Sequence, residues 1–381
     1  MKHICVVTGT RAEYGLLLPV MKAIRASKAL TLSTLATGMH LSEEHGRTVD
    51  LIESDGFVVD DRVDMLLRSD GPAAMAKSIG IGLTGMAQAL ERIGPDVVLL
   101  LGDRAETLAA AVAAAYMNIV VAHIHGGDRA RAGLDDSARH AVTKFAHIHF
   151  AATEASATRI RKMGERPEHV FVVGAPGLDT ILSARPMSRS ALCRRLGIDG
   201  DGELLVLIQH PVTTQSGSAA AQMGETLSAV KELGKTTVVI YPNSDAGGME
   251  MIAAIEDCEG LPFLHPFRNL ERPLFINLLR RADVLVGNSS CGVIESASFG
   301  LPVVNIGMRQ EGRERSTNVI DVEHDRRSIV KAVQLALSAR FRRKAARCEN
   351  PYGDGRAAKR IVEVLRRLKI GDDLMQKQIT Y

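Results

Sequence analysis

The chain has 381 residues, 46% of them apolar and 24% charged, with 34 glycines and 13 prolines. That balance excludes a single small domain, a collagen-like or low-complexity chain and a wholly disordered one, and the length predicts two domains. Aromatics make up 4% and Trp is absent, which disfavours a nucleic-acid module that stacks bases on aromatic rings. The formal charge of +3, concentrated in the run from Arg340 to Arg347, points to a small anionic ligand rather than DNA. Cys5, Cys193, Cys258, Cys291 and Cys348 are scattered, with no C-x-x-C pair, as expected of a reducing compartment without a disulfide framework or a cysteine-based zinc site. The longest apolar stretch, residues 108–117, falls short of the ~20 residues that span a bilayer, and the N-terminus is too short for a signal h-region. The expectation is a cytoplasmic protein with neither a nucleic-acid nor a membrane partner.

Short apolar runs alternate with segments of helical period along the chain. Residues 4–8, 97–101, 119–123, 148–151 and 170–173 read as buried parallel strands, and 14–26, 84–93, 105–116, 136–146 and 154–163 as helices between them. The stretch 174–189, with Pro176, Gly177 and Pro186, breaks the rhythm. A second series of strands follows at 204–208, 238–241, 283–286 and 302–306. The pattern predicts an α/β protein of two Rossmann-like doubly wound domains, 1–180 and 185–355, facing across a cleft, with the last helix at 356–369 and the chain end at 381 packing back on the first domain. Ligands of open α/β sheets bind at the carboxyl ends of the strands, and every polar motif falls at such an end.

The first strand closes in Thr8-Gly9-Thr10-Arg11, a glycine turn at a helix start where Arg11 and free backbone N–H groups would meet a phosphate, or where Arg11 is simply solvated. Leu101-Gly102-Asp103-Arg104-Ala105-Glu106 offers Asp103 either as a carboxylate in the crevice or as a helix N-cap with Glu106 as its capping-box acid. His123-Ile124-His125-Gly126-Gly127-Asp128 follows; strand alternation puts His123 and His125 on one face. His147 and His149 repeat the spacing on the next strand. These four imidazoles with Asp128 are the alternative metal site, weighed against hydrogen-bonded structural or catalytic histidines. Downstream, Asp135 with Arg139 and Asp136 with His140 stand at i,i+4, as surface ion pairs or as a functional group of residues beside the crevice. In the second half, His210 closes a strand opposite Arg11. Gly287-Asn288-Ser289-Ser290-Cys291-Gly292 is a strand, a small-residue turn and a helix start, fitted to a diphosphate or to plain N-capping by Ser290. Glu295 lies within the first helical turns, placed to accept hydrogen bonds from ribose hydroxyls.

Together the runs TGTRAEYGLLLPVM, LGDRAETLAAA, HIHGGD, DDSARHAVTKFAHIHF, IQHPVT and GNSSCGVIESASFGLPVVNIGMRQEGRER resemble the UDP-N-acetylglucosamine 2-epimerase family over essentially the whole chain, and its hydrolysing branch in particular. The HVEAGLRT-like run of the non-hydrolysing branch is absent, and Asp128 stands where hydrolysing members usually carry Glu. The resemblance implies a GT-B architecture and a hydrolysing 2-epimerase that converts UDP-N-acetylglucosamine to N-acetylmannosamine and UDP through a glycal, in sialic-acid or surface-polysaccharide biosynthesis. It also implies a homodimer or homotetramer and no redox cofactor or metal. The same chemistry on a UDP- or GDP-linked 2,4-diacetamido-2,4,6-trideoxy sugar is the alternative substrate, with the loop at residues 65–72 deciding between them.

The resemblance further implies roles for residues. Asp103 and Asp128 form the acid/base pair at C2, with Asp135, Arg139 and His140 orienting the sugar and the carboxylates. Arg11, His210, Ser289, Ser290 and Gly292 meet the diphosphate, and Glu106, His125, Glu295 and Arg313 complete nucleotide and substrate binding. A GT-B glycosyltransferase, a non-hydrolysing epimerase and a non-catalytic UDP-sugar-binding protein are the rival readings.

Overall fold

In the computed structural model, residues 1–43, 46–67, 72–129, 134–242, 247–258 and 260–381 are described. The chain divides into unit 1, Met1–Thr180 with Tyr352–Tyr381, and unit 2, Ile181–Pro351.

Unit 1 is built on a seven-stranded sheet of order β3-β2-β1-β4-β5-β6-β7. Its strands are β1 (Lys2–Thr8), β2 (Leu30–Thr37), β3 (Asp61–Val63), β4 (Val97–Leu101), β5 (Val120–Ile124), β6 (Ile148–Ala151) and β7 (Val170–Val172). All neighbours pair parallel, Ile4 against Val97 and Leu100 against His123. Consecutive residues go to opposite faces: Ile4, Val6 and Leu99 join one buried cluster, Cys5, Val7, Val98 and Leu100 another. Helices cover both faces, so these strands read as unbroken apolar runs. The helix Ala357–Arg367 returns to this unit, where Ile361 and Leu365 join the cluster of helix Arg11–Arg25 and the Asp179 carboxylate accepts from the amides of Ala357 and Ala358.

Unit 2 has a six-stranded parallel sheet of order β10-β9-β8-β11-β12-β13. Its strands are β8 (Leu205–Ile208), β9 (Thr237–Ile240), β10 (Leu264–Phe267), β11 (Val284–Gly287), β12 (Val303–Ile306) and β13 (Val319–Val322). In each sheet the strand order reverses beside the first strand, between β1 and β4 and between β8 and β11. Loops there leave in opposite directions and open a crevice at the carboxyl ends.

Four strands depart from the sequence expectation. β2, β3, β10 and β13 carry Thr, Ser, Asp, His or Pro among their apolar residues, which blurs the apolar run. The helix expected at 84–93 extends back to Pro72. Its Gly82 and Gly85 let it close on unit 1's edge: a Cβ at Gly85 would lie 2.6 Å from Val63 and one at Gly82 2.9 Å from Met65.

At the end of β11, Gly287 has φ +123°, and a Cβ there would stand 2.1 Å from the Ile208 carbonyl. Gly287→Ala should therefore cost about 2–4 kcal/mol, from backbone strain plus forced separation of β8 and β11. A urea-unfolding curve checks this, and an unchanged midpoint would refute the close approach.

Candidate active site

In unit 1 the loops after β4 and β5 and the helix Leu134–Phe145 are tied together by Arg139, only 6% exposed. Its guanidinium makes a short ion pair with Asp103, donates to Asp136 Oδ1 at 2.8 Å and donates to the Asp128 backbone carbonyl at 2.7 Å. Asp103 is thus not the N-cap. Arg104 takes that position with extended backbone and no side-chain cap, and Glu106, instead of closing a capping box, turns its buried carboxylate to Arg104 Nε at 3.2 Å. The i,i+4 pairs expected on the following helix give way to Arg139–Asp136 at i,i+3, because the arginine turns inward. Asp135 and His140 lie exposed on that helix.

The histidines separate rather than converge. His123, wholly buried at the end of β5, bonds the Gly102 carbonyl through Nε2 at 2.7 Å, and burial lowers its pKa to about 3. His125 does not continue the alternation: its φ is +65°, and its Nδ1 meets Asp128 Oδ2 at 2.8 Å. His147 Nδ1 accepts from the Val121 amide, and His149 pairs with Glu165. Among the described residues no three His, Cys, Asp or Glu side chains are grouped to hold a metal ion.

The turn after β1 leaves fewer free backbone N–H groups than its sequence suggests. Thr10 caps helix Arg11–Arg25 by accepting from the Glu13 amide, and Glu13 Oε2 accepts from the Gly9 amide at 2.6 Å. This capping-box variant consumes an N–H that a phosphate would need. Glu106 packs against the same turn, since a Cβ at Gly9 would lie 3.0 Å from its Cγ. Arg11 is exposed at the helix start. Glu13 was not singled out in the sequence, although Thr10-x-x-Glu13 carries the capping-box signature. The same holds for His40, buried between Thr8 and Thr48 with its pKa lowered to about 4 by burial, and for Ser156, whose Oγ donates to Asp128.

In unit 2, Asn288, 1% exposed, accepts from the His210 amide at 2.7 Å and donates to the His210 carbonyl at 2.8 Å, so the ends of β8 and β11 are locked together. The helix expected next is a single turn, Cys291–Ile294, continued by the 3-10 segment Ser296–Phe299. Ser290 occupies its N-cap without a side-chain bond. The amides of Gly292 and Val293 turn back to the carbonyls of Ser289 and Ser290. The amides of Ser289, Ser290 and Cys291 donate to nothing among the described residues. Three successive backbone N–H groups are thus left open at this helix start. Glu295 is largely buried, 3.7 Å from Arg272, and burial raises its pKa more than Arg272 lowers it. Arg313 lies half-buried after β12. Of the loop expected to choose the sugar, residues 68–71 fall outside the described residues.

Two parallel α/β units, each with a polar cluster where its strand order reverses, define a two-unit Rossmann-like protein of the GT-B type. The model of the UDP-N-acetylglucosamine 2-epimerase family matches residues 22–366, and the chain belongs to that family. It is 40% identical over 381 residues, all of both chains, to a UDP-N,N'-diacetylbacillosamine 2-epimerase (hydrolyzing) of Legionella pneumophila. It is 30% identical over 338 residues to a UDP-N-acetylglucosamine 2-epimerase of Neisseria meningitidis, covering 89% of this chain and 88% of that one. A crystal structure of the Neisseria meningitidis UDP-GlcNAc 2-epimerase bound to UDP-GlcNAc matches with TM-score 0.81 at 22% identity, over 96% of this chain and 99% of that one, a likeness that shows the fold. Among the described residues no helix is long and apolar enough to cross a membrane.

Burial pushes the Glu13 carboxyl up to about 8 from its ordinary 4.5, with the Gly9 amide opposing and the Glu106 charge adding to the rise. Between those two values the folded protein holds a proton that the unfolded chain has lost, so Glu13 makes stability fall as pH rises from about 4.5 to about 8. Glu13→Gln removes this slope. Its melting temperature should gain on the parent's between about pH 5 and about pH 8, and a difference constant across that range would show that Glu13 is not held protonated.

Proposed function

We propose that the chain is a hydrolysing 2-epimerase of a UDP-linked N-acetyl sugar, with a 2,4-diacetamido-2,4,6-trideoxy sugar as its substrate. The observation that carries this reading is the 40% identity along all 381 residues to a relative named for that hydrolytic reaction. UDP-N-acetylglucosamine is the second reading, favoured by the Neisseria meningitidis relative at 30%.

The reaction makes separate demands on the protein. C2 loses a proton as the C1–O bond to the diphosphate breaks, giving a glycal; water's oxygen then bonds to C1 while a proton reaches C2 on the other face. Asp103 is the base: a carboxylate at the end of a central strand, held by the buried Arg139 guanidinium, has its position fixed before substrate arrives. Arg139 and Asp136 keep that carboxylate in place, and Asp135 and His140 on the same helix meet the sugar. The departing diphosphate is taken by the open amides of Ser289, Ser290 and Cys291, with His210, Arg11 and Arg313 supplying further donors. Glu295 accepts from the ribose. The enzyme works in the cytoplasm as a homo-oligomer, without a cofactor.

Two experiments test the reading. Asp103→Asn keeps the shape and an acceptor for Arg139 but cannot take a proton, so kcat should fall by ~10²-fold or more with UDP binding within a few-fold; nearly intact turnover would remove Asp103 from the chemistry. Incubation of the parent with UDP-linked 2,4-diacetamido-2,4,6-trideoxyglucose and UDP-N-acetylglucosamine in D₂O should release UDP and a 2-epimeric free sugar bearing deuterium at C2, faster from the first. A product with full C2–H intensity and unchanged configuration would mean simple hydrolysis at C1 instead.

A further inference from the structure

This inference rests on the proposed reaction and concerns the proton that returns to C2. His125 leaves β5 at φ +65°, one of three non-glycine residues at positive φ among the described residues. Such a backbone persists only where surrounding contacts hold it, and it marks positions where a side chain must be aimed. The holding contacts are specific. The His125 amide donates to the Phe150 carbonyl at 3.1 Å. At Gly127, φ +73°, a Cβ would lie 2.3 Å from the Ser156 carbonyl, so only glycine lets the loop lie against helix Glu154–Lys162. Arg159 Nε donates to the Gly127 carbonyl at 2.5 Å.

Within that cradle Asp128 Oδ2 stands 2.8 Å from His125 Nδ1, and Asp128 Oδ1 accepts from Ser156 Oγ at 2.7 Å. Both carboxylate oxygens are therefore engaged, which suits an orienting group better than one that exchanges protons with substrate. A carboxylate only accepts, so the ring proton sits on Nδ1 and the second nitrogen is the reactive one. His125 Nε2 has no hydrogen-bond partner among the described residues, and its side chain is 14% exposed. Serine, carboxylate and imidazole form a relay in which each member fixes the next.

We propose that His125, through Nε2, is the acid that protonates the glycal at C2, and that Asp128 and Ser156 are its positioning residues. In this step the imidazolium Nε2–H bond breaks and a C2–H bond forms as the C1=C2 electrons move to C2. Water's oxygen bonds to C1, water's surplus proton passes to solvent, and the imidazole takes its next proton from solvent. The Asp128 carboxylate faces the charge that the imidazolium carries. Elimination, which precedes this step, is left to Asp103.

The test is the product made by His125→Asn. Asparagine tolerates the left-handed backbone and its amide nitrogen can keep the bond to Asp128, but it has no acid to offer C2. UDP should still be released while the sugar emerges mainly as the unsaturated glycal, seen by its vinylic proton in NMR, with saturated epimer down by ~10²-fold. Asp128→Asn, which disturbs the ring's tautomer, and Ser156→Ala, a gentler change, should shift the product ratio the same way to lesser degrees. A purely structural role would lower all products together. The inference is overturned if His125→Asn yields only saturated epimer at near the parent rate, or if it stops UDP release although UDP still raises its melting temperature as in the parent. Failure of the parent itself to release nucleotide from either sugar would instead overturn the proposed function.

Discussion

Arg139 is the constraint on which the polar face of unit 1 depends. A planar guanidinium carries several N–H donors at fixed angles, so a single side chain holds the Asp103 carboxylate, Asp136 and the Asp128 carbonyl in one arrangement. A lysine ammonium would act as one point charge and leave the relative angles free. Burying a cation is costly, and the acceptors on its two terminal nitrogens offset that cost. The strands do the rest. β4 and β5 are adjacent and in register, Leu100 opposite His123, so their loops emerge side by side and the spacing of Asp103 from the Asp128 loop is set by the sheet.

The two reversal points differ in how their turn amides are satisfied. Beside β1 the Gly9 amide is already given to Glu13, and Glu106 packs against the same turn. Beside β11 the situation is reversed: Asn288 spends its amide on His210, while three consecutive backbone N–H groups stay open. The same Rossmann topology thus leaves one turn with its glycine amide taken and the other with its amides open, and the difference is made by which side chains reach the turn.

The central strands were legible in the sequence because helices cover both their faces, so they read as runs such as Val97–Leu101 with no polar interruption. The outer strands were not. β2 carries Thr31, Ser33 and Thr34, and β3 is three residues long, so neither offers the pattern that identifies a strand. Within the site, the residue types were readable but their pairings were not. Asp135 with Arg139 follows from helical spacing alone; the observed partner Asp103 lies on another element, and no local spacing encodes it. His125 misled for a related reason. Alternation assumes extended backbone, and a left-handed residue at a strand end turns its side chain off the face that the period assigns. The Gly-Gly pair that follows was the available signal that the chain bends there.

That bend also accounts for the aspartate at position 128, where relatives of the hydrolysing type lead one to expect glutamate. Gly127 brings the backbone against Ser156 so closely that no Cβ is admitted, and this leaves the α-carbon of residue 128 within a short side chain's reach of two partners. Asp128 spans them, 2.8 Å to His125 and 2.7 Å to Ser156. A glutamate would have to fold its extra methylene back on itself to meet both, at the expense of rotamer freedom and of the fixed angle at the ring. The shorter side chain is therefore the fitted one for a carboxylate that orients an imidazole. Backbone conformation, the adjoining glycine and the short side chain act together, holding the His125 ring, the Asp128 carboxylate and the Ser156 hydroxyl in one arrangement.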